Sequence, residues 1–335
     1  MNDRIHWRPI TGMPDGAHDW GSKEYQDRVA EWHHHRHRLE DPALDKTIME
    51  LWSKENRRLF AIENGQIENL YLFRRGITEE LITHGLEGAR ISHTVASEVA
   101  DDKTLSGLLT DQENALEMVF DAVKQVRPLS HSVIREWHAL LTRNQESAAG
   151  ISNGKRVRIP LRKGVYKIRP NNPRRPDGLI HEYCPPEHVQ SEMDRLLAMY
   201  EDIRVVGYPT EVEAAWLHHR YISIHPFQDG NGRTARLLMA YVYIQRGEFP
   251  PVVPASNKPA YIAMLEEADK GDLQPFTQYL SGLATVALVA GITAARNTIA
   301  HGSYFRHSNG DGSLKPSNGN WQRLPKDKGD GMEPR

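Results

Sequence analysis

The sequence predicts a mainly α-helical fold that is interrupted by one short β segment. Apolar residues recur at spacings of three and four through most of the chain, which is the pattern of helices with one buried face. Glycine and proline are instead concentrated in residues 144–186, where they exclude long helices. The sequence shows no internal repeat, and its length suggests two domains at most, or one large core with an appendage.

The helices follow one another with recognisable starts and stops. The first two are predicted at 25–39 and 46–82, and Gly65 is expected to end or bend the second. Pro128 stops a third helix, and Ser130 or Ser132 caps the fourth. Later helices open at Pro185–Pro186, run from Glu211 to the residue before His225–Pro226, and span Thr234–Arg246 with Gly247 as the stop.

Two short strands are expected inside the glycine- and proline-rich segment, at Tyr166–Arg169 and Leu179–Tyr183. Most of the residues between them, 170–178, favour turns. The segment is therefore interpreted as a β-hairpin with a long tip. Arg174 and Arg175 make the tip basic, which favours either an acidic partner or plain solvent exposure, the second being preferred.

Four regions of different character divide the 335 residues. Residues 1–45 are a polar N-terminal extension, residues 46–112 are an N-terminal helical region, and residues 113–295 are the core domain. Residues 301–335 are rich in glycine, serine, asparagine, lysine and proline, so we expect them to be disordered.

Composition excludes several functional classes. The 42 basic and 44 acidic residues give a formal net charge of −2, whereas dedicated nucleic-acid and membrane-surface binders carry a large basic excess. Cys184 is the single cysteine, which excludes an intrachain disulfide and a cysteine-based zinc cluster. The first residues lack the apolar core of a secretory signal, so a cytoplasmic location is expected.

One uncharged stretch raises the alternative of a membrane helix. Residues 276–295 contain no charged side chain, and about 20 apolar residues span a bilayer. The stretch also contains threonine, glycine, glutamine and serine, so a buried core helix is the favoured interpretation and no membrane partner is expected. The same helix offers a face for a second copy of the chain, which makes a homodimer one expectation.

The segment with the clearest chemistry runs from His225 to Arg236 and reads HPFQDGNGRTAR. Its Gly-Asn-Gly turn precedes a helix, so unpaired backbone N–H groups and the positive end of the helix dipole form an anion site. Arg233 and Arg236 share one face of the first helical turn and can hold phosphate oxygens. Asp229 supplies a carboxylate suited to Mg²⁺, and His225 supplies a proton acceptor. Together these groups predict phosphoryl or nucleotidyl transfer.

This segment resembles the signature of Fic-domain proteins, His-Pro-Phe-x-Asp/Glu-Gly-Asn-Gly-Arg-x-x-Arg, and matches it at every specified position. The resemblance extends over about residues 50–290. It implies a Fic-type helical bundle with a β-hairpin flap, Tyr166–Tyr183, over the active site. It also implies AMPylation, the transfer of AMP from ATP and Mg²⁺ to a Ser, Thr or Tyr hydroxyl of a target protein held at the flap, with no nucleic-acid partner.

The resemblance also assigns roles to individual residues. His225 would deprotonate the target hydroxyl, Phe227 would anchor the loop in the core, and Asp229 would hold Mg²⁺ between the α- and β-phosphates. The other residues of the signature would bind phosphate, with Gly230, Asn231 and Gly232 forming the anion hole, Asn231 on the α-phosphate, and Arg233 and Arg236 on the β- and γ-phosphates.

A second family feature is an inhibitory helix with the motif Ser/Thr-x-x-x-Glu-Gly/Asn, whose glutamate pairs with the second arginine of the signature. Glu63 lies in a matching Ala-Ile-Glu core on a strong helical pattern, although Leu59 replaces the hydroxyl residue. Glu87 satisfies the written motif, although Gly85 is unfavourable inside a helix. Glu63 is therefore the favoured inhibitory residue and Glu87 the alternative. A contact between Glu63 and Arg236 would predict low resting activity.

Alternative functions stay open from the sequence alone. The same site can remove AMP from a modified protein, or use another nucleotide or a phosphocholine donor. A nucleotide-gated binding module without chemistry is a further alternative, but it leaves His225 without a purpose because binding alone needs no base there. The choice of ATP as the nucleotide follows only from the resemblance, since the sequence shows no adenine-binding signature.

Overall fold

The computed structural model describes residues 4–37, 42–71, 73, 78, 81–82, 102–152, 155–175 and 177–308. Glu87, the alternative inhibitory residue, lies outside the described residues, as do residues 309–335 of the predicted tail.

Helices make up most of the described structure, as the sequence predicts. The helices are α1 (Lys23–His37), α2 (Pro42–Ile67), α3 (Asp102–Lys124), α4 (His131–Leu141), α5 (Pro186–Val206), α6 (Thr210–Ile224), α7 (Asn231–Gln245), α8 (Lys258–Asp269) and α9 (Gln274–Ser308). The strands are β1 (Arg4–Ile5), β2 (Ser147–Ser152), β3 (Lys155–Pro160) and β4 (Ile180–His181). Ser130 is the observed cap of α4, because its hydroxyl accepts a hydrogen bond from Val133 N.

Two neighbouring helices, α6 and α7, form the centre of the fold. All residues of α7 from Arg233 to Ile244 are buried, as expected for a helix that is surrounded by others. Polar residues of α6 are also buried and have partners: Glu213 accepts from Arg246 at 2.6 Å, and His219 bonds Asp269 at 3.0 Å. Helices α3 and α4 pack against α7, while α5, α8 and α9 pack against α6.

The N-terminal segment packs onto the same core. Ile10, Tyr25 and Trp32 are buried in the main hydrophobic cluster. The indole of Trp216 on α6 donates to the carbonyl of Thr11 at 3.1 Å. Strand β1 pairs in parallel with β4, and α1 packs against α9. Residues 4–37 therefore belong to the body of the fold.

Helix α2 continues through Gly65, where a break was expected, and ends at Ile67. A Cβ at Gly65 would collide with the ring of Tyr71, whose hydroxyl donates to the carbonyl of Ala61 at 2.6 Å. The glycine therefore serves close packing rather than helix termination. The chain folds back over the end of α2, and this fixes the position of the residues that follow Ile67.

The β structure differs in part from the prediction. Strands β2 and β3 form an antiparallel hairpin within residues 147–160, ahead of the predicted one. In the predicted flap, Leu179–Tyr183 contains β4, and a bridge between Arg174 and Ile180 closes a small hairpin. The predicted strand Tyr166–Arg169 is wrong, because Tyr166 makes only an isolated bridge, to Phe227 of the signature.

Helix α9 is longer than predicted. It runs to Ser308, so the first residues of the predicted disordered tail are helical and that part of the expectation is wrong. Its buried positions recur every four residues: Phe276, Leu280, Ala284, Leu288 and Ile292. Residues Gln274–Thr293 have the length and apolarity of a membrane-spanning helix, a test that a core helix also passes.

Candidate active site

The signature begins at the end of α6 and continues into the start of α7. The backbone N–H of His225 donates to the carbonyl of Tyr221 at 3.0 Å. His225 follows the last residue of α6 and has a left-handed φ of 52°. Gly230, with φ of 80°, immediately precedes α7. A Cβ at Gly230 would lie 3.1 Å from His138 Nε2, so both conformation and packing require glycine there.

Asn231 holds the loop between these helices in shape. Its Oδ1 accepts from the backbone N–H of Phe227 at 2.8 Å, and its Nδ2 donates to the Phe227 carbonyl at 2.8 Å. The Phe227 ring is fully buried and stacks on His138 with centroids 3.7 Å apart. The side chain of Asn231 is thus used by the loop, and its backbone N–H is the group that remains for an anion.

The N-terminus of α7 has the form of an anion cradle. The first helical hydrogen bond in it runs from Thr234 N to Gly230 O at 3.0 Å. The backbone N–H groups of residues 231, 232 and 233 precede this bond, so they have no acceptor within the helix. They lie at the positive end of the helix dipole, which favours a negatively charged oxygen.

A carboxylate that the sequence analysis did not select, Glu68, stands at this cradle. Its Oε1 accepts from Nη2 of Arg236 at 2.6 Å. A Cβ on Gly232 would collide with the same oxygen, so Glu68 approaches the helix N-terminus closely. Burial lowers the pKa of Arg236, but Glu68 and Tyr261 together raise it above its usual value. Arg236 is therefore a permanent cation, paired in this structure with Glu68.

The predicted contact between Glu63 and Arg236 is wrong. Glu63 Oε2 instead accepts from the backbone N–H of Ala255 at 2.6 Å. The next side chain, Asn64, faces Arg236 and accepts from its Nε at 2.5 Å. Consecutive side chains on a helix point about 100° apart, whereas residues four apart share a face. Glu68 directly follows the last residue of α2 and is four residues after Asn64, so both reach the same arginine.

A sequence signal for Glu68 was present. Ile67-Glu68-Asn69 repeats the pattern Ile62-Glu63-Asn64 five residues later. Read against the inhibitory motif, it puts Asn64 in the place of the hydroxyl residue. Asparagine also carries a side-chain oxygen, and that oxygen is the atom that contacts Arg236.

An aromatic ring and an amide hold the imidazole of His225. The ring of Tyr183 stacks on it face to face, with centroids 3.9 Å apart and planes within 4°. The Asn171 Nδ2 lies 2.7 Å from His225 Nδ1 and also donates to the Phe227 carbonyl at 2.7 Å. The Asn171 Oδ1 accepts from Lys167 Nζ at 2.8 Å, which turns the NH₂ group towards the imidazole.

These contacts set the protonation of His225. Burial lowers its pKa well below the usual value, and the positive charge of Lys167 and the neighbouring His181 lower it further. The imidazole is therefore neutral at pH 7. Because the Asn171 amide donates to Nδ1, the single proton of the neutral ring is on Nε2 in this arrangement.

Asp229 lies beside the cradle with one hydrogen bond to each carboxylate oxygen. Its Oδ1 accepts from Gly230 N at 2.7 Å, and its Oδ2 accepts from Gln145 Nε2 at 2.7 Å. Each oxygen keeps a further lone pair for a cation. Within the described ranges no three His, Cys, Asp or Glu residues form a metal cluster. The donor set fits Mg²⁺, which commonly binds one carboxylate and completes its shell with phosphate oxygens and water.

Arg233 is fully buried next to Asp229. Its Nη1 donates to the Leu141 carbonyl at 3.3 Å and its Nη2 donates to Gln145 Oε1 at 2.6 Å. Its buried Nε has no partner within the described part of the chain. An orphaned cationic N–H of this kind is suited to a phosphate oxygen.

His138 is a further residue of the site that the sequence analysis did not assign. Its Nδ1 accepts from Gly164 N at 2.9 Å, so its Nε2 carries the proton and donates to the Asp229 carbonyl at 2.8 Å. Burial lowers the pKa of His138 to about 4. His138 therefore ties α4, the residues just before the flap and the signature loop together as a neutral ring.

Comparison with known proteins agrees with this geometry. The sequence profile of the Fic/DOC family matches residues 128–243, from just before α4 almost to the end of α7. This chain contains a Fic/DOC-family domain. The Fic domain thus includes His225, the cradle and both arginines, whereas Glu68 lies outside the matched range.

Curated relatives match the Fic domain over short stretches. This chain is 37% identical over 97 residues to Protein adenylyltransferase fic-1 of Caenorhabditis elegans, and the match covers 29% of this chain and 19% of that protein. It is 40% identical over 68 residues to Protein adenylyltransferase Fic of Drosophila melanogaster, covering 20% of this chain and 14% of that protein. The matches therefore span less than a fifth of the length of these relatives.

Solved structures share the fold over a larger part of the chain. A Fic domain containing signaling protein from Bacteroides thetaiotaomicron superimposes with a TM-score of 0.64 and 26% identity, covering 82% of this chain and 97% of that chain. Fic-1 from C. elegans superimposes with a TM-score of 0.59 and 22% identity, over 81% of this chain and 71% of that chain. The predicted mainly α Fic fold, with a small two-stranded flap, is confirmed.

Proposed function

We propose that this chain is a protein adenylyltransferase that transfers AMP from Mg-ATP to a Ser, Thr or Tyr hydroxyl of a target protein. One observation carries the proposal: a neutral imidazole lies next to an anion cradle. Asn231, the first residue of α7, reaches His225 Nδ1 at 3.2 Å through its side-chain amide. A hydroxyl bound at the imidazole would therefore lie near an α-phosphate bound at the cradle.

The reaction needs few covalent events from the protein. The target oxygen attacks the α-phosphorus, its proton passes to the imidazole of His225, and the bond to pyrophosphate breaks. The N–H groups of residues 231–233 stabilise the negative charge that develops on the α-phosphate. Arg233 and Arg236 hold the leaving pyrophosphate. Mg²⁺ bound at Asp229 supplies charge neutralisation on the phosphates.

The tautomer of His225 adds one requirement. To accept a proton at Nε2, the ring must carry its hydrogen on Nδ1, and Nδ1 then cannot accept from Asn171. Asn171 must therefore release Nδ1, or turn its oxygen towards it, when a target hydroxyl binds. The arrangement in which Asn171 donates to Nδ1 of His225 therefore precedes proton transfer.

We further propose that Glu68 inhibits the resting enzyme. Its carboxylate occupies Arg236 and approaches the cradle at Gly232, both of which an ATP polyphosphate needs. ATP must displace this carboxylate to bind productively. Glu68 thus takes the role that the sequence analysis gave to Glu63.

Labelled ATP tests the transfer. The Glu68→Ala variant is incubated with Mg²⁺, cell extract and ATP labelled at either the α- or the γ-phosphorus. The background is the label in extract without the variant. We expect protein-bound label above this background only from α-labelled ATP, and none above it when His225→Ala is added to the variant. Label above background from the γ position would identify a kinase instead, and no label above background from either position in any variant would refute the proposal.

AMP removal is a second candidate, and the position of Glu68 favours it. A carboxylate at the cradle can orient a water molecule for attack on a bound AMP-protein phosphodiester. The two functions respond oppositely to Glu68→Ala. The variant should speed AMP transfer, because the Glu68 carboxylate opposes ATP binding, and should slow AMP removal, because the same carboxylate orients the water molecule. Incubation of an AMPylated protein with wild type and Glu68→Ala therefore distinguishes them: release by wild type alone supports removal.

A further inference from the structure

Asp229 and Arg233 carry opposite charges and are close together, but in the described part of the chain they form no direct ion pair. Gln145, at the end of the loop after α4, lies between them and is buried. Its Oε1 accepts from Arg233 Nη2 at 2.6 Å, and its Nε2 donates to Asp229 Oδ2 at 2.7 Å. One amide thus bridges a guanidinium and a carboxylate.

The orientation of this amide is fixed by its partners. A guanidinium has only donors and a carboxylate only acceptors, so the oxygen of Gln145 must face Arg233 and its NH₂ must face Asp229. A third hydrogen bond, from Nε2 to the carbonyl of Ser147 at 3.2 Å, ties Gln145 to strand β2. Among side chains of this length, only glutamine offers a donor and an acceptor at its end.

Side-chain amides also hold the second arginine. Asn64 accepts from Arg236 and donates to Gln112 Oε1 at 2.9 Å. Gln112 donates to the Leu141 carbonyl at 3.1 Å, and the same carbonyl accepts from Arg233. A buried amide network therefore fixes both arginines, with Gln145 as the member that also reaches the carboxylate.

We propose that Gln145 is a positioning residue that keeps Asp229 and Arg233 apart. Without it, the carboxylate and the guanidinium would be free to collapse into a charge-assisted, bidentate pair. That pair would use the lone pairs that Asp229 needs for a cation and the N–H groups that Arg233 needs for a phosphate. Gln145 satisfies one hydrogen bond of each group and leaves the unpartnered Nε of Arg233 and the remaining lone pairs of Asp229 available. This inference rests on the proposed nucleotide site.

The test is the effect of Mg²⁺ on ATP affinity, measured by calorimetry with the full chain. Glu68→Ala serves as the parent, and Gln145→Leu is added to it. Loss of residues that orient metal ligands typically costs about 10- to 100-fold in affinity. With Gln145→Leu added, we expect the dissociation constant of ATP measured in Mg²⁺ to rise by about that factor. The ratio of the ATP dissociation constant in EDTA to that in Mg²⁺ should then fall towards one.

Two further variants make the result specific. Gln228→Leu is the matched control, because Gln228 adjoins Asp229 in sequence but bonds Pro160 and Arg162 instead; it should keep the parental ratio. Gln145→Asn is one methylene too short to reach both partners, so it should lower the ratio even if Gln145→Leu does not fold. A purely structural role would lower the unfolding temperature without changing the ratio.

The outcomes separate this inference from the proposed function. If the parent binds Mg-ATP and the Gln145 variants keep its ratio, the inference is overturned and the proposed function stands. If the ratio falls but the parent transfers no AMP, the inference stands and the proposed function fails. If the parent binds no ATP, both are overturned.

Discussion

Release of the Glu68–Arg236 contact is the perturbation with the most direct predicted effect. Glu68 accepts a 2.6 Å hydrogen bond from an arginine whose side chain is 3% exposed, while the glutamate itself is 30% exposed. Hydrogen bonds to charged groups contribute about 1.5–3 kcal/mol, and the partial exposure of Glu68 favours the lower half of that range. Since about 1.4 kcal/mol is a factor of ten, Glu68→Ala should strengthen Mg-ATP binding by about 10- to 30-fold.

Titration calorimetry of ATP in Mg²⁺ measures this factor directly. The matched control is Glu63→Ala, which removes a carboxylate five residues earlier, in the last turns of α2. Glu63 bonds the backbone of Ala255 and not Arg236, so its loss should change ATP affinity less than about threefold. The reasoning would be refuted if Glu68→Ala left ATP affinity unchanged, or if Glu63→Ala strengthened it by the larger factor.

Three other predictions concern residues that support the site. Burial lowers the pKa of His138 to about 4, below the unfolded value of about 6.5, so the unfolded chain binds the proton first as the pH falls. About 3 kcal/mol of the free energy of unfolding is therefore lost between pH 6.5 and pH 4. Urea unfolding of His138→Gln should lack this part of the loss, and the same pH slope in both proteins would contradict the prediction. Burial lowers the pKa of Lys167 to about 8, so from pH 8 towards 10 the folded wild type loses this proton while its unfolded chain still holds it, and wild type gains stability. The stability advantage of Lys167→Met over wild type should therefore shrink over this range. A stability difference that does not change with pH would argue against this. Asn171→Asp accepts a hydrogen from Nδ1 and leaves Nε2 of His225 bare, so its AMP transfer in the Glu68→Ala background should exceed that of Asn171→Ala by about tenfold or more; equal rates would show that the tautomer does not matter.

The signature loop could be predicted from the sequence because its geometry is local. The proline after His225 ends α6, and the Gly-Asn-Gly turn leads directly into the next helix, both by local backbone preference. The predicted start of that helix, Thr234, lies three residues after the observed start of α7 at Asn231. The cradle at the start of α7 is a direct consequence of that order. For the same reason Arg233 and Arg236, three residues apart, lie close to it.

The partners of this loop could not be predicted because they come from distant parts of the chain. Gln145 and His138 reach it from α4 and the loop after it, and Asn171 reaches it from the flap. Nothing in local spacing indicates which amide lies between two charges. Glu68 was missed for a related reason: the Ala-Ile-Glu core on a strong helical pattern favoured Glu63, whereas the residue four after Asn64, just beyond the end of α2, is the one that reaches Arg236.

The flap shows a third limit of sequence analysis. Alternating residues at Tyr166–Arg169 are compatible with a strand, but Lys167 donates its backbone N–H to the Pro226 carbonyl at 2.8 Å. The segment thus pairs with the signature loop instead of extending a hairpin. Such a choice depends on which backbone partner lies nearby in the fold, and not on the pattern of the segment itself.

The most direct test of the account is a crystal structure of the Glu68→Ala variant with Mg²⁺ and a non-hydrolysable ATP analogue. We expect oxygens of the α-phosphate at about 2.7–3.2 Å from backbone nitrogens of residues 231–233. His225 should face the α-phosphorus from the side opposite the leaving pyrophosphate. A nucleotide bound with its phosphates away from the start of α7, or with the imidazole more than one water molecule from the α-phosphate, would contradict the account.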